Sequence, residues 1–219
     1  MSVRPRFRRL PGPRAHPALA QEDAVHAAGE LVAAGRLVAL DLAAAASDAG
    51  TAGLAVRVVD AGLAAACEVT VAARTRAAGE LTARGLAVAL TGPPAEVDPV
   101  ARALPGARVV VPAGEPWAED RCRALAGGRV RLVAGRGAGA ELSFVRCVNI
   151  LMAGDGEPAV ATTDPRLIAI TGERAAWNGR SPDSWEHVMP WGEPTDDQSR
   201  LLAAGHTVRV LLPVAGGRA

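Results

Sequence analysis

Gly135-Arg136-Gly137-Ala138-Gly139-Ala140 has the composition of a phosphate-binding turn. Glycines let a pyrophosphate approach the backbone closely, and a helix N-terminus just after them receives its charge. The segment follows an apolar run ending at Val133 and opens a stretch of helical spacing, which is the setting of a GxGxxA dinucleotide fingerprint. The acid that would bind a ribose at the end of the next strand is missing, because Asp155 lies in a Gly-rich turn, so a plain strand-to-helix loop competes with this reading. Asp41 closes an earlier apolar run and would reach the carboxyl-end mouth of a barrel, where active sites are built. His16, His26, His187 and His206 show no HxxxH or HxE spacing, and Cys67, Cys122 and Cys147 no CxxC, so no metal centre is expected. His187, between Trp185 and Trp191, reads as a hydrogen-bonded core imidazole, and Ser181, Ser184 and Ser199 sit in no nucleophile elbow.

Composition narrows the chemistry further. All 24 cationic side chains are arginine and tyrosine is absent, so a lysine Schiff base, a P-loop lysine and a tyrosine acid are excluded. Against 23 carboxylates the net charge is +1, which offers no field for nucleic acid or anionic lipid. No window approaches the roughly 18 to 20 apolar residues of a membrane span. The stretch from Arg4 to Pro13 has the charge of a signal n-region, but Pro and Gly stand where its apolar region would begin, so a basic leader on a cytoplasmic protein is expected. Hydrophobic residues reach 49% with only 3% aromatics, much of the rest being alanine, so the core should be thin.

From residue 36 a short Val/Leu/Ala run, a Gly or Pro break and a helical stretch recur. The pattern predicts strands at 36–42, 67–72, 86–90, 108–111, 129–133, 159–162, 185–189 and 207–212, read as continuous apolar runs covered on both faces. Helices are predicted at 52–66, 74–84, 96–104, 119–126, 140–152, 165–177 and 195–204. Eight strands separated by helices fit a (β/α)8 barrel, an α/β fold here without a helix after the last strand, with an open doubly wound sheet as competitor. The expected division is a basic Pro-rich leader with a first helix over 1–29 and the barrel over 30–219.

Four segments of the second half occur in order and at compatible spacing: Arg129-Val-Arg-Leu-Val133, Phe144-Val-Arg-Cys-Val-Asn-Ile-Leu-Met-Ala-Gly154, Ala161-Thr-Thr-Asp-Pro-Arg-Leu-Ile168 and Ala203-Ala-Gly-His-Thr-Val-Arg-Val210. They resemble the RVRLxKGAY, YVRCLxxLMAG, ATHDPRLI and AAGHxVRVYVPYG stretches of the proline dehydrogenase family, and weaker likeness extends over most of residues 30 to 213. The resemblance implies a barrel that holds FAD across its carboxyl-end mouth and oxidises L-proline to Δ1-pyrroline-5-carboxylate. The cofactor supplies the redox chemistry, and the protein holds flavin and proline in register.

Residue by residue, the resemblance places Arg131 as the strand arginine that lies against the flavin, the candidate catalytic group. It assigns cofactor contacts to Ala134, Gly135, Arg136, Thr162 and Thr163. Ala134 stands where the family has lysine, and Thr163 where it has a flavin-contacting histidine. Ala72 replaces the proline-site lysine, Thr91 the acid ending the third strand and Pro112 the flavin-contacting glutamine. The arginine pair that clamps the substrate carboxylate has no counterpart within the 219 residues. Charged hydrogen bonds contribute roughly 1.5 to 3 kcal/mol each. Impaired or lost proline oxidation is therefore expected.

Other expectations stand beside this one. A non-catalytic binding or regulatory barrel acting with a partner is the alternative, and an NAD-binding enzyme using residues 135 to 140 trails both. A barrel short of one helix would leave an apolar stripe on its first and last strands, so a homo- or hetero-oligomer is expected.

Overall fold

A computed structural model describes residues 17–42, 47–73, 76–135, 139–192 and 195–216. Eight strands and eight helices alternate among the described residues. They are α1 (Gln21–Ala33), β1 (Leu37–Asp41), α2 (Asp48–Asp60), β2 (Cys67–Ala72), α3 (Ala77–Ala83), β3 (Ala87–Thr91), α4 (Pro94–Ala103) and β4 (Arg108–Pro112). The second half continues with α5 (Ala118–Leu125), β5 (Arg129–Val133), α6 (Ala140–Ala153), β6 (Glu157–Ala161), α7 (Pro165–Trp177), β7 (Glu186–Pro190), α8 (Thr195–Ala203) and β8 (Thr207–Pro213). All strands pair in parallel and in sequence order, and β8 closes on β1. The fold is a (β/α)8 barrel, and no doubly wound sheet is formed.

The strands' outward residues and the helices' inner faces form one apolar layer. Val38, Leu40, Val69, Leu90, Val111 and Leu132 meet Leu54, Leu81, Phe144, Val148, Leu151 and Leu167 there. Trp185 is buried just ahead of β7 and supplies much of the aromatic volume. Its ring centroid lies 4.3 Å from that of His187 and 5.5 Å from that of His206, so His187 is indeed a buried imidazole, packed outside the barrel.

Helix α2 begins four residues before the predicted start because Ser47 caps it, its Oγ accepting from Gly50 N at 3.1 Å. It stops at Asp60, two residues before Gly62, whose φ of +72° only glycine adopts cheaply. Among the described residues no helix follows β8, but the expected bare stripe on β1 and β8 is not there. Helix α1, which begins ahead of residue 29 and runs past it, packs on both strands, and Leu40, Val210 and Leu212 are buried. Leu19 joins the same seam, its N donating to Pro213 O at 2.9 Å. A segment before β1 thus covers the place that a helix after β8 would take, and the stripe gives no reason for an oligomer.

No helix among the described residues is long and apolar enough to cross a membrane, and no group of three or more His, Cys, Asp or Glu among them could hold a metal ion.

Candidate functional site

The inward face of the barrel is where the strands depart from continuous apolar runs. Register places Ala39 beside Glu68, Thr70 beside Ala89 and Arg108, and Val110 beside Arg131, Ala159 and Glu186. Paired residues on parallel strands share a face. That face points inward, because its side chains bond across the barrel between strands that are not neighbours. Arg108 Nε donates to Glu68 Oε2 at 2.8 Å, and its Nη2 to Glu186 Oε1 at 3.1 Å. Arg209 forms a two-point pair with Glu186, at 2.7 and 2.9 Å. Arg131 pairs through Nη2 with Glu68 Oε1, and its Nη1 donates to Thr70 Oγ1 at 2.9 Å. An ionic cluster therefore fills the space that branched aliphatic layers usually fill.

The cluster sets its own charges. Burial alone would raise the Glu68 carboxyl, but the guanidiniums of Arg131, Arg108 and Arg209 outweigh it and hold the group below the usual carboxylate range. Glu186 is pushed by burial in the same way, yet its bonds to Arg209 and the charge of Arg108 bring it down to about 2. Arg131 moves down chiefly through burial.

Above this floor, on the carboxyl-end side of β5 to β8, lies a cleft of about 740 Å³, within the range of small-molecule sites. Val133, Ala161, Val188 and Leu211 form its floor, and Phe144 and Leu167 its outer wall. Ala134, Gly135, Thr162 and Thr163 line it together, so four of the expected cofactor residues converge on one place. Arg136 lies outside the described residues. Arg131 does not line the cleft: it sits one inward position below Val133, 2% exposed, held by Glu68 and Thr70. Register sets it in the layer below the mouth. Its inward partners are Val110 and Ala159 of the middle layer, and its guanidinium turns down to a carboxylate.

Two glycines of the candidate fingerprint have reasons of their own. A Cβ on Gly135 would stand 2.2 Å from the backbone N of Gly114, so glycine is required there by the close approach of the loop after β4. Gly139 has φ +85°, the left-handed turn that leads into α6. Thr162 Oγ1 accepts from Asp164 N at 3.1 Å, and Asp164 Oδ1 accepts from Arg166 N at 2.8 Å as the N-cap of α7. The charged side chains among the described lining residues are Glu141 and Asp164.

The ionic cluster escaped the sequence reading, although a signal was present. Arg129-Val-Arg131, Glu68-Val-Thr70 and Thr207-Val-Arg209 alternate polar and apolar residues, the mark of strands with one polar face.

No protein-family model matches the chain, and no curated protein matches it. Solved structures do. Proline utilization A from Bdellovibrio bacteriovorus, inactivated by N-propargylglycine, superposes with a TM-score of 0.73 at 13% identity, over 90% of this chain and 30% of that one. A mutant of proline utilization A from Bradyrhizobium japonicum gives 0.64 at 18% identity, over 83% of this chain and 27% of its own. The protein from Corynebacterium freiburgense gives 0.64 at 15%, over 89% and 29%. The chain thus spans less than a third of each of those proteins. At such identities the likeness is one of fold: this chain resembles a barrel found within proline utilization A proteins.

Proposed function

We propose that this chain is a divergent proline dehydrogenase-like barrel that keeps the mouth cleft as a small-molecule site and has lost flavin-dependent proline oxidation. The ordered segments of the second half and the fold likeness support the kinship. The observation that carries the loss is the state of Arg131, buried and already paired with Glu68 and Thr70 below the cleft.

The described lining residues do not fit FAD. Its pyrophosphate needs cations or a glycine cradle, and the described lining offers two carboxylates instead. The close backbone approach at Gly135 is taken by Gly114. Thr163 and Ala134 have neither the imidazole nor the ammonium that the resemblance would require, and Ala72 removes the lysine of the proline site. Each lost charged hydrogen bond costs roughly 1.5 to 3 kcal/mol, and roughly 1.4 kcal/mol is tenfold in rate or affinity.

The absorption spectrum of the purified chain, before and after incubation with FAD, tests this together with proline turnover on an artificial electron acceptor. A colourless protein without turnover is expected. Flavin bands, or turnover within tenfold of an ordinary enzyme's roughly 10 s⁻¹, would refute the reading.

A further inference from the structure

Below the mouth, the inward ionic groups of the strands carry one more positive than negative charge. All eight strands are described, so their inward ionic groups can be set against one another. Arg108, Arg131 and Arg209 face Glu68 and Glu186, while Arg129 and Glu157 pair with each other at the amino-terminal rim and Asp41 stands at the mouth. Glu68 divides its oxygens between Arg108 and Arg131, and Glu186 between Arg108 and Arg209. Arg108 and Arg209 also reach the backbone carbonyls of Glu157 and Val38. Arg131 is the least satisfied of the three. It has one carboxylate oxygen and one hydroxyl, and its Nε, fully buried, meets no acceptor.

A buried guanidinium N–H without an acceptor is rare in native interiors, and an uncompensated charge beside it is rarer. Around it the side chains are short: Ala159 is Arg131's register neighbour, Ala89 that of Arg108 and Ala39 that of Glu68, all fully buried. Val133, the next inward residue above Arg131, lines the cleft, so roughly 6 to 7 Å of strand rise separates the two. We propose that one monovalent anionic group, a halide ion or the carboxylate of a small molecule entering from the mouth, binds inside the barrel against Arg131 Nε. A single charge matches the excess, whereas a phosphate dianion would overshoot it.

The test uses the whole chain at constant ionic strength, replacing sodium methanesulfonate by sodium chloride, bromide or formate while the melting temperature is followed. Saturation from below the dissociation constant to a hundredfold above it should raise the midpoint by about 5 °C or more. Arg131→Met should abolish the dependence. Glu186→Gln, which leaves two cations in excess, should lower the half-saturating concentration about tenfold. A response to halide alone marks a free ion, and a stronger response to formate marks a carboxylate. Crystals soaked in bromide should show an anomalous peak within hydrogen-bond distance of Arg131 Nε, a measurement that decides even where Arg131→Met does not fold. A midpoint flat across all the anions, or a bromide map empty beside Nε, overturns the proposal.

Discussion

The two ends of this barrel interior are built from opposite materials. At the amino-terminal floor five long ionic side chains bond across the barrel, whereas at the carboxyl-end mouth the inward positions shrink to Ala72, Thr91, Val133 and Ala161, and a cleft opens. In a barrel of this type the mouth is where chemistry is placed and the floor is where stability is placed. Arg131, the residue that the resemblance marks for chemistry, bonds into the floor through its guanidinium. Its carboxylate partner there is Glu68, 63 residues earlier.

Removing Glu68 should show the division most strongly. Glu68→Met leaves Arg108 and Arg131 buried without their shared carboxylate, and breaking a buried pair from one side typically costs about 3 to 5 kcal/mol. The melting temperature should fall by roughly 10 °C, while affinity for a ligand in the cleft stays within a few fold in the protein that remains folded. The double variant Glu68→Met/Arg131→Met should recover part of the loss, since it removes the stranded charge as well. Cleft affinity collapsing in step with stability would show that floor and mouth are one unit.

Acid should act in two separate windows, one set outside the barrel and one on its ionic floor. His187 is held near pH 4 by burial and by the neighbouring His206, against an ordinary 6.5, so it folds neutral. The unfolded chain takes up the proton first; stability is therefore full above pH 6.5 and drains as pH falls to about 4, by about 3 kcal/mol. Glu186 shifts from 4.5 to about 2, so its contribution is full above pH 4.5 and lost between there and pH 2, by a similar amount. Melting temperatures measured from pH 7.5 down to 3 should fall across both ranges. His187→Leu should flatten the upper one and leave the lower; an unchanged slope between pH 6.5 and 4 would exclude the imidazole as its source.

Gly135 lies at the mouth end of β5, and its substitution separates packing from ligand binding. Gly135→Ala puts a methyl against Gly114 N, 2.2 Å away in the unrelaxed structure, where only backbone can yield. Overpacking of that kind costs roughly 1 to 3 kcal/mol. Far-UV circular dichroism with thermal denaturation should detect it in the absence of any ligand. A variant as stable as the parent would return Gly135 to the role of a ligand cradle.

These contrasts explain which parts of the molecule could be read from its sequence. The alternation of apolar runs with helical stretches fixed all eight strands to within two residues at either end, because outward residues such as Val69, Leu90 and Leu132 are chosen by helix packing that recurs in every unit. The motif segments brought Ala134, Gly135, Thr162 and Thr163 together for the same local reason, each following the end of its own strand. What escaped depends on distant partners. Helix α1 covers the seam between β1 and β8 from the far end of the chain, and Arg131 turns toward a carboxylate three strands away. Local alternation marks the polar face of Arg131's strand, but neither partner can be read from a local window.

Asp164 gives the smallest effect and the finest test of the line between the two regions. It lies in the mouth and is one of two carboxylates among the described lining residues, yet its Oδ1 accepts from Arg166 N and starts α7. An N-cap replaced by alanine costs about 1 kcal/mol, whereas asparagine caps nearly as well as aspartate. Asp164→Ala should therefore lower the melting temperature by about 2 to 4 °C, and Asp164→Asn should leave it almost unchanged. Asparagine keeps the hydrogen bond and removes only the charge, so any change that Asp164→Asn makes in ligand affinity reports the carboxylate's field in the cleft. Anionic ligands binding better to the asparagine variant would place Asp164 in both regions at once. Equal affinity for the two proteins, with the alanine variant alone destabilised, would assign it to the scaffold.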